Sequence, residues 1–230
     1  MKRIFIIPAY NEAEILPSLI AEVRDKTPDF DYIIINDGST DQTREVCRDQ
    51  KLNAIHLVAN LGIGGAVQAG YKYALENGYE IAIQLDGDGQ HDPGSASDLI
   101  QPILDDQADF VIGSRFITKA GFQTTWTRRI GIVWLNTVLR IITHQRFTDA
   151  TSGLRAANRK VIQLFASNYP YDYPEPETIC VSVRKGFRVM EAPVVMRERS
   201  TGRSSIRPFH AGYYLLKVTL AILVANIKKV

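Results

Sequence analysis

Apolar residues in the first half of the chain come in short runs, each closed by a polar cluster rich in Asp, Asn, Gly and Ser. The runs predict buried strands at Arg3–Pro8, Tyr32–Asn36, Ala54–Val58, Glu80–Leu85 and Asp109–Gly113. Helical patterns separate them. Glu12–Lys26 sets Ile15, Leu16, Leu19, Ile20 and Val23 on one face, and Gly65–Asn77 and Ser95–Asp106 are two more helices. Another helix follows "DGSTDQTREV", where Ser39, Thr40 or Asp41 suits the N-cap. Short apolar strands alternating with helices require an α/β fold with a mostly parallel sheet covered on both faces. Such sheets bind ligands beyond the carboxyl ends of their strands. Here those ends carry "PAYNE", "NDGSTD", "NLGIGGA" and "DGDGQ". After Gly113 the rhythm fails, and a mixed, arginine-rich region with both tryptophans begins.

The 230 residues form one predicted domain, and the near-balanced formal charge of +2 gives no ground for bulk nucleic-acid binding. Cys47 and Cys180 stand far apart without metal-ligand spacing, as expected of buried thiols in a reducing compartment. The apolar part of "MKRIFIIPAYNE" is too short for a signal peptide, so a cytoplasmic location is expected.

"QLDGDGQHDP" places Asp86, Asp88 and Asp92 within seven positions and no Lys or Arg among them. A calcium loop counted from Asp86 fails, because Gln90, His91 and Ser97 stand where an acid, a Gly and a Glu are needed. An aspartyl-nucleophile phosphatase would carry its Asp pair on the first strand, not the fourth. A solvated acidic turn remains open, chiefly for Asp92. The remaining alternative is a divalent cation held by one or two carboxylates and completed by water and a diphosphate, whose charge offsets the repulsion. "NLGIGGAVQAG" lacks the G-x-G-x-x-G spacing, so a tight loop that lets backbone approach a ligand or strand is expected there.

Taken in order, "IPAYNE", "NDGSTDQT", "NLGIGGA", "QLDGDGQHDP", "VIGSR", "DATSGLRA", "YPEPE" and "RERSTGRSSI" resemble glycosyltransferase family 2 over nearly the whole chain. Within the family it resembles the branch that includes dolichyl-phosphate mannose synthase and bacterial undecaprenyl-phosphate sugar transferases. The resemblance implies a Rossmann-like, type A nucleotide-sugar fold. Residues 1–115 would be the nucleotide-sugar half, 116–210 the acceptor half, and 211–230 a membrane-proximal helix. It also implies roles by position. Pro8, Ala9, Tyr10, Glu12, Ile35, Asp37, Asp86, Gly87 and Arg115 would hold the donor. Asp86, Asp88 and Gln90 would hold Mg²⁺ or Mn²⁺. Arg129, Asp149, Ser152, Arg155, Arg199 and Arg203 would surround the phosphates and acceptor, with Asp88, Glu177, Arg115 and Arg199 closest to the chemistry. Ser205 stands where the mannose synthases carry a Lys, which weakens an assignment to mannose; glucose and N-acetylglucosamine are the named alternatives.

The implied reaction is inverting transfer of a sugar from a UDP- or GDP-sugar to polyprenyl phosphate, at the cytosolic membrane face, in cell-wall or surface polysaccharide synthesis. A phosphate acceptor, with a second pKa of roughly 6, attacks without a base. A hydroxyl on a lipid-linked saccharide, the rival acceptor, needs one. Glu177 is then the candidate base, unless it only favours a helix N-terminus. A rival of another class is an inactive nucleotide-sugar-binding subunit. Arg197, Arg199, Arg203 and Arg207 read as a loop that closes over the anionic ligands, or as a solvated basic loop. From Tyr213 to Ile227 only Lys217 is charged. The stretch is shorter than the ~20 residues a spanning helix needs. It is either a core helix or an interfacial anchor, with Tyr213 and Tyr214 at headgroup level and Lys217, Lys228 and Lys229 on anionic lipid. A small integral-membrane partner and a homo-oligomer are further expectations.

Overall fold

The alternation within the strands decides both layers of the molecule. In β1 (Arg3–Ala9), Ile4 and Ile6 face one side of the sheet while Phe5 and Ile7 face the other, and all four are fully buried. β2 (Asp31–Asn36) repeats the pattern, with Ile33 and Ile35 opposed to Tyr32 and Ile34. The computed structural model describes residues 1–118, 121, 126–172, 174–197 and 211–227, with side chains left aside at 126–128, 211–214 and 226–227.

Five more strands complete the sheet: β3 (Ala54–His56), β4 (Ile81–Gln84), β5 (Phe110–Ser114), β6 (Arg155–Asn158) and β7 (Val189–Pro193). Their spatial order is β3-β2-β1-β4-β6-β5-β7. Every neighbouring pair is parallel except those made by β6, which is antiparallel to β4 and to β5. One face is covered by α1 (Leu16–Lys26), α2 (Thr43–Asp49) and α4 (Ala96–Leu104), through Leu16, Ile20, Cys47 and Leu99. The other face packs α3 (Gly62–Glu76), α5 (Trp126–Thr143), α6 (Arg159–Ser167), α7 (Pro174–Arg184) and α8 (Ala211–Ile227), through Val67, Leu139, Phe165, Ile179 and Ile222.

Three local expectations are corrected. The first helix starts at Leu16 rather than Glu12, because the Glu12 carbonyl accepts from both Ile15 and Leu16 N–H and closes a turn first. The second starts at Thr43, with Gln42 at the cap position. Ser39 and Thr40 are drawn away to Asn11, and Asp41 instead accepts from the Thr43 N–H at 2.9 Å. "GIGG" is the first turn of α3, not a loop: a β-carbon on Gly64 would lie 2.2 Å from the Pro170 carbonyl oxygen, so the glycine admits the chain before α7. The C-terminal helix α8 buries Val218, Ile222 and Ala225 against its neighbours, while its opposite face is open.

Candidate active site

The strand order reverses between β1 and β4, and the crevice at the carboxyl ends of these strands is where such a sheet receives a ligand. Two of the polar clusters interlock along its rim. Asn11 adopts a left-handed backbone (φ 58°), and its Oδ1 accepts from the Thr40 N–H at 2.8 Å, while its own N–H donates to Ser39 Oγ at 2.9 Å. Glu12 N–H donates to Thr43 Oγ1 at 3.0 Å. Burial disfavours the charge on Asp41, yet hydrogen bonds from Thr43 and Ala13 outweigh it and hold that carboxyl below its ordinary range. Asp37 is buried and accepts from the Leu61 N–H at 2.7 Å, tying the end of β2 to the start of α3. Pro8, Ala9 and Ile35 are buried around it, Glu12 is half-buried and Tyr10 projects into solvent.

The acidic loop leaves β4 directly beside β1. Gly87 is required there: a β-carbon would lie 2.8 Å from the Pro8 carbonyl oxygen. Gln90 N–H donates to Asp88 Oδ1 at 3.1 Å, and Gly89 takes a positive φ of 70° to turn the chain. Asp86 and Asp88 are both half-buried. Asp92 belongs to a different arrangement. It caps the following turn through Gly94 N–H, and it pairs with Lys26 at 2.9 Å and with Arg197 at 3.1 Å. Glu22 pairs with the same two cations, so four charges fasten the end of α1 and the acidic loop to the segment at Arg197.

The reversed strand supplies the third wall. Because β6 runs antiparallel, its leading loop "DATSG" lies at the edge where β4 and β5 end, with Arg155 opposite both Gln84 and Ile112. Gly153 packs so closely that a β-carbon would sit 2.1 Å from Asp86 Oδ2. Asp149, fully buried, takes Arg115 in a two-pronged grip: Nε to Oδ2 and Nη2 to Oδ1, each 2.6 Å. The loop's backbone is held from behind by Glu191, which accepts from the N–H groups of Thr148 and Asp149. Burial pushes the Glu191 carboxyl up, against the pull of those same hydrogen bonds. His91 is buried nearby, and desolvation lowers it to about 4, which keeps the ring neutral.

The expectation that Arg155 meets phosphate is corrected. Its side chain is 1 % exposed, and it donates to the carbonyls of Ser152, Ala150 and Glu175 and to Thr178 Oγ1. It is a strut joining the "DATSG" loop to the first turn of α7. Ser152 is buried too, its Oγ without a hydrogen-bond partner among the described residues. Arg129 stands exposed at the other rim, its guanidinium 4.4 Å from the centre of the Phe116 ring. Arg199 and Arg203, and with them Ser205, Arg207, Lys228 and Lys229, lie outside the described residues, as do the side chains of Tyr213 and Tyr214.

Sequence reasoning singled out Glu177 of "YPEPE"; two residues before it, the Glu175 carbonyl accepts from Arg155 at 2.7 Å. Burial raises Glu175, Arg155 opposes this, and the charge of Asp86 adds to the rise. Burial raises the Cys180 thiol, one turn after Glu177, and the thiol donates to the Ile222 carbonyl of α8. Two positions apart on a helix point in roughly opposite directions, so the two acids of the motif do not share one face of α7. Gly153 and Glu191 were also missed; no spacing rule announces a contact made across the sheet.

The donor set suits a hard cation. Asp86 and Asp88 offer carboxylate oxygens and Gln90 an amide from one loop, and the glycine floor at 153 leaves room for the Asp86 carboxylate. Among the described residues no group of three or more His, Cys, Asp or Glu side chains is placed to hold a metal unaided. A cation here would need oxygens from its ligand as well.

A carboxylate loop at the switch point of a mostly parallel sheet is a place for a hard cation and an anionic ligand in an α/β protein. Residues 4–165 match the family described as glycosyl transferase family 2, and the chain belongs to that family. It is 32% identical over 230 residues to the undecaprenyl-phosphate mannosyltransferase of Micrococcus luteus, covering 95% of this chain and 93% of the relative. It is 29% identical to the polyprenol monophosphomannose synthase of Mycolicibacterium smegmatis, covering 89% of this chain and 81% of that one. The fold matches that of glucosyl-3-phosphoglycerate synthase from Mycobacterium tuberculosis, solved with Mn²⁺, uridine diphosphate and phosphoglyceric acid. The TM-score is 0.72 at 16% identity, covering 98% of this chain and 78% of the other.

Proposed function

We propose that the protein is a divalent-cation-dependent, inverting glycosyltransferase that moves a sugar from a UDP- or GDP-sugar to polyprenyl phosphate. The observation that carries this reading is the convergence of the Asp86–Asp88 loop and the "DATSG" loop at the β1–β4 switch point, with Asp86 seated on Gly153. The relatives named for undecaprenyl phosphate and polyprenol support the acceptor, and the neighbour solved with Mn²⁺ and uridine diphosphate supports the donor type.

In this reading the rim formed by Pro8, Ala9, Tyr10, Glu12, Ile35 and Asp37 binds the nucleoside. Asp86, Asp88 and Gln90 hold Mg²⁺ or Mn²⁺, which when bound supplies Lewis-acid stabilisation of the charge developing on the diphosphate. Arg115, aimed by Asp149, offers charge to the same anionic groups, and Arg129 and Arg199 position the acceptor. A phosphate oxygen of the acceptor attacks the anomeric carbon as the bond to the diphosphate oxygen breaks, and attack from the far face inverts the centre. No proton has to be removed from a dianionic phosphate, so Glu177 has no role as base. The site works at the membrane face because its acceptor is a lipid.

Single-turnover assays with undecaprenyl phosphate and a panel of UDP- and GDP-linked mannose, glucose and N-acetylglucosamine test this. Transfer to phosphate that stops with chelator and returns with Mn²⁺ or Mg²⁺ is expected. Transfer only to a saccharide hydroxyl would overturn the acceptor assignment, and no transfer from any donor would favour a binding-only subunit.

A further inference from the structure

Two helices of the molecule turn large apolar side chains to the outside. On α5, Ile130, Val133, Trp134 and Ile141 are each more than half exposed, at spacings that set them in one stripe. On α8, Leu216, Leu220 and Val224 are likewise more than half exposed, opposite the buried Val218 and Ile222. The helices lie side by side: Leu215 reaches Gly131, where a β-carbon would be 3.3 Å away, and Trp134 Nε1 donates to Thr219 Oγ1 at 3.0 Å. The stripes therefore join across Trp134 into a single apolar face, larger than scattered exposed residues would give.

The free-standing charges on these helices are cationic, whereas Lys217, expected to meet anionic lipid, instead pairs with Asp172 at 2.9 Å. Neither α5 nor α8 contains an Asp or a Glu. Arg129 and Arg140 are exposed on the border of the α5 stripe, four before and seven after Val133. No helix among the described residues is long and apolar enough to cross a membrane. An apolar stripe with a tryptophan and exposed arginines on its α5 border is the composition of a helix that lies in the plane of an anionic lipid interface. A second copy is the weaker match, because a face meeting itself would bring arginine borders together with no carboxylate on either helix to neutralise them.

We infer that the joined α5–α8 face seats the protein on an anionic lipid leaflet. The seat deepens the functional reading above and rests on it for one consequence. Arg129, at the cleft end of α5, stacks on Phe116, which follows the Asp149-bound Arg115. A leaflet touching the α5 stripe thus lies against the rim of the cleft, at the level where a lipid-borne phosphate presents itself.

The test uses the full chain with vesicles of phosphatidylglycerol mixed into phosphatidylcholine, against phosphatidylcholine alone. Wild type should float with the anionic vesicles, and less with the neutral ones. Leu216→Glu with Leu220→Glu, both solvent-facing, should weaken flotation at least roughly tenfold. In a Trp126→Phe background, Trp134 emission should shift to the blue on anionic vesicles. The double variant should keep transfer to a short, water-soluble prenyl phosphate. A wild type that does not float, or a double variant that floats as well as wild type, overturns the inference. So does concentration-dependent dimerisation abolished by the same two substitutions, which would assign the face to self-association. Flotation without transfer from any donor would count against the transferase reading alone.

Discussion

Gly153 touches the carboxylate of Asp86 so closely that any added β-carbon would push it aside: it would lie 2.1 Å from Oδ2. The obstructing atoms belong to the tip of a movable side chain, not to backbone. Gly153→Ala should therefore displace the carboxylate at little cost to the fold. We expect stability to change by less than about 1 kcal/mol. Transfer should fall by at least ~100-fold, as a misplaced ligand implies. Thermal unfolding and Mn²⁺ titration of activity, run side by side, separate the two effects. Equal losses of both would refute the assignment of Asp86.

Arg115 and Asp149 behave differently, because the carboxylate is fully buried and the guanidinium mostly so. Removing the carboxylate leaves a cation with little water around it. Asp149→Ala should cost ~3 kcal/mol of stability. Arg115→Lys keeps the charge but loses the two-pronged geometry, so it should lower kcat while stability falls less. Denaturant midpoints and steady-state kinetics on the two variants decide.

Glu177→Gln should leave transfer to polyprenyl phosphate within about tenfold, since a phosphate acceptor gives up no proton. A loss of about a thousandfold would move the assignment to a hydroxyl acceptor. Single-turnover rates are the measurement.

Asp109 gives a pH signature away from the cleft. Hydrogen bonds from Arg188, and a further one from Asn158, hold its carboxyl below the ordinary range although burial pushes the other way. A folded-state pKa below the unfolded value of about 3.9 adds stability above that pH, and the gain disappears as pH falls through the lowered value. Asp109→Asn should thus be less stable than wild type at neutral pH, with the gap closing below about pH 4. Unfolding curves over that range test it; a gap that widens in acid would contradict the pairing.

The first half of the chain was legible in the sequence because its signals are local. Ile4 to Ile7 and Tyr32 to Ile35 are buried on both faces, so their composition announces strands whatever surrounds them. The polar clusters at their ends follow from the rule that such sheets bind ligands there. β6 was not legible. Its four residues, Arg155 to Asn158, include a buried arginine and two alanines, and only the pairing with β4 and β5 makes them a strand. Arg155 itself looked like a phosphate ligand because an arginine beside "DATSG" gives no hint that Glu175 and Thr178, twenty and more residues later, will take its donors. The pairs Asp86–Gly153 and Asp149–Arg115 form only once that strand is in place. Asp92 shows the converse: its charge was visible, but Lys26 and Arg197, which neutralise it, are remote in the chain.

The antiparallel course of β6 has an architectural consequence. The chain leaves the cleft at Ser114, makes a long excursion, and comes home to the place it departed from, with Thr148 and Ser114 hydroxyls 2.6 Å apart. Whatever that excursion contains, its two ends are clasped together at the sheet. A change of length at the excursion's exposed parts is therefore absorbed away from the sheet, while Leu135 and Leu139 of α5 stay packed in the core.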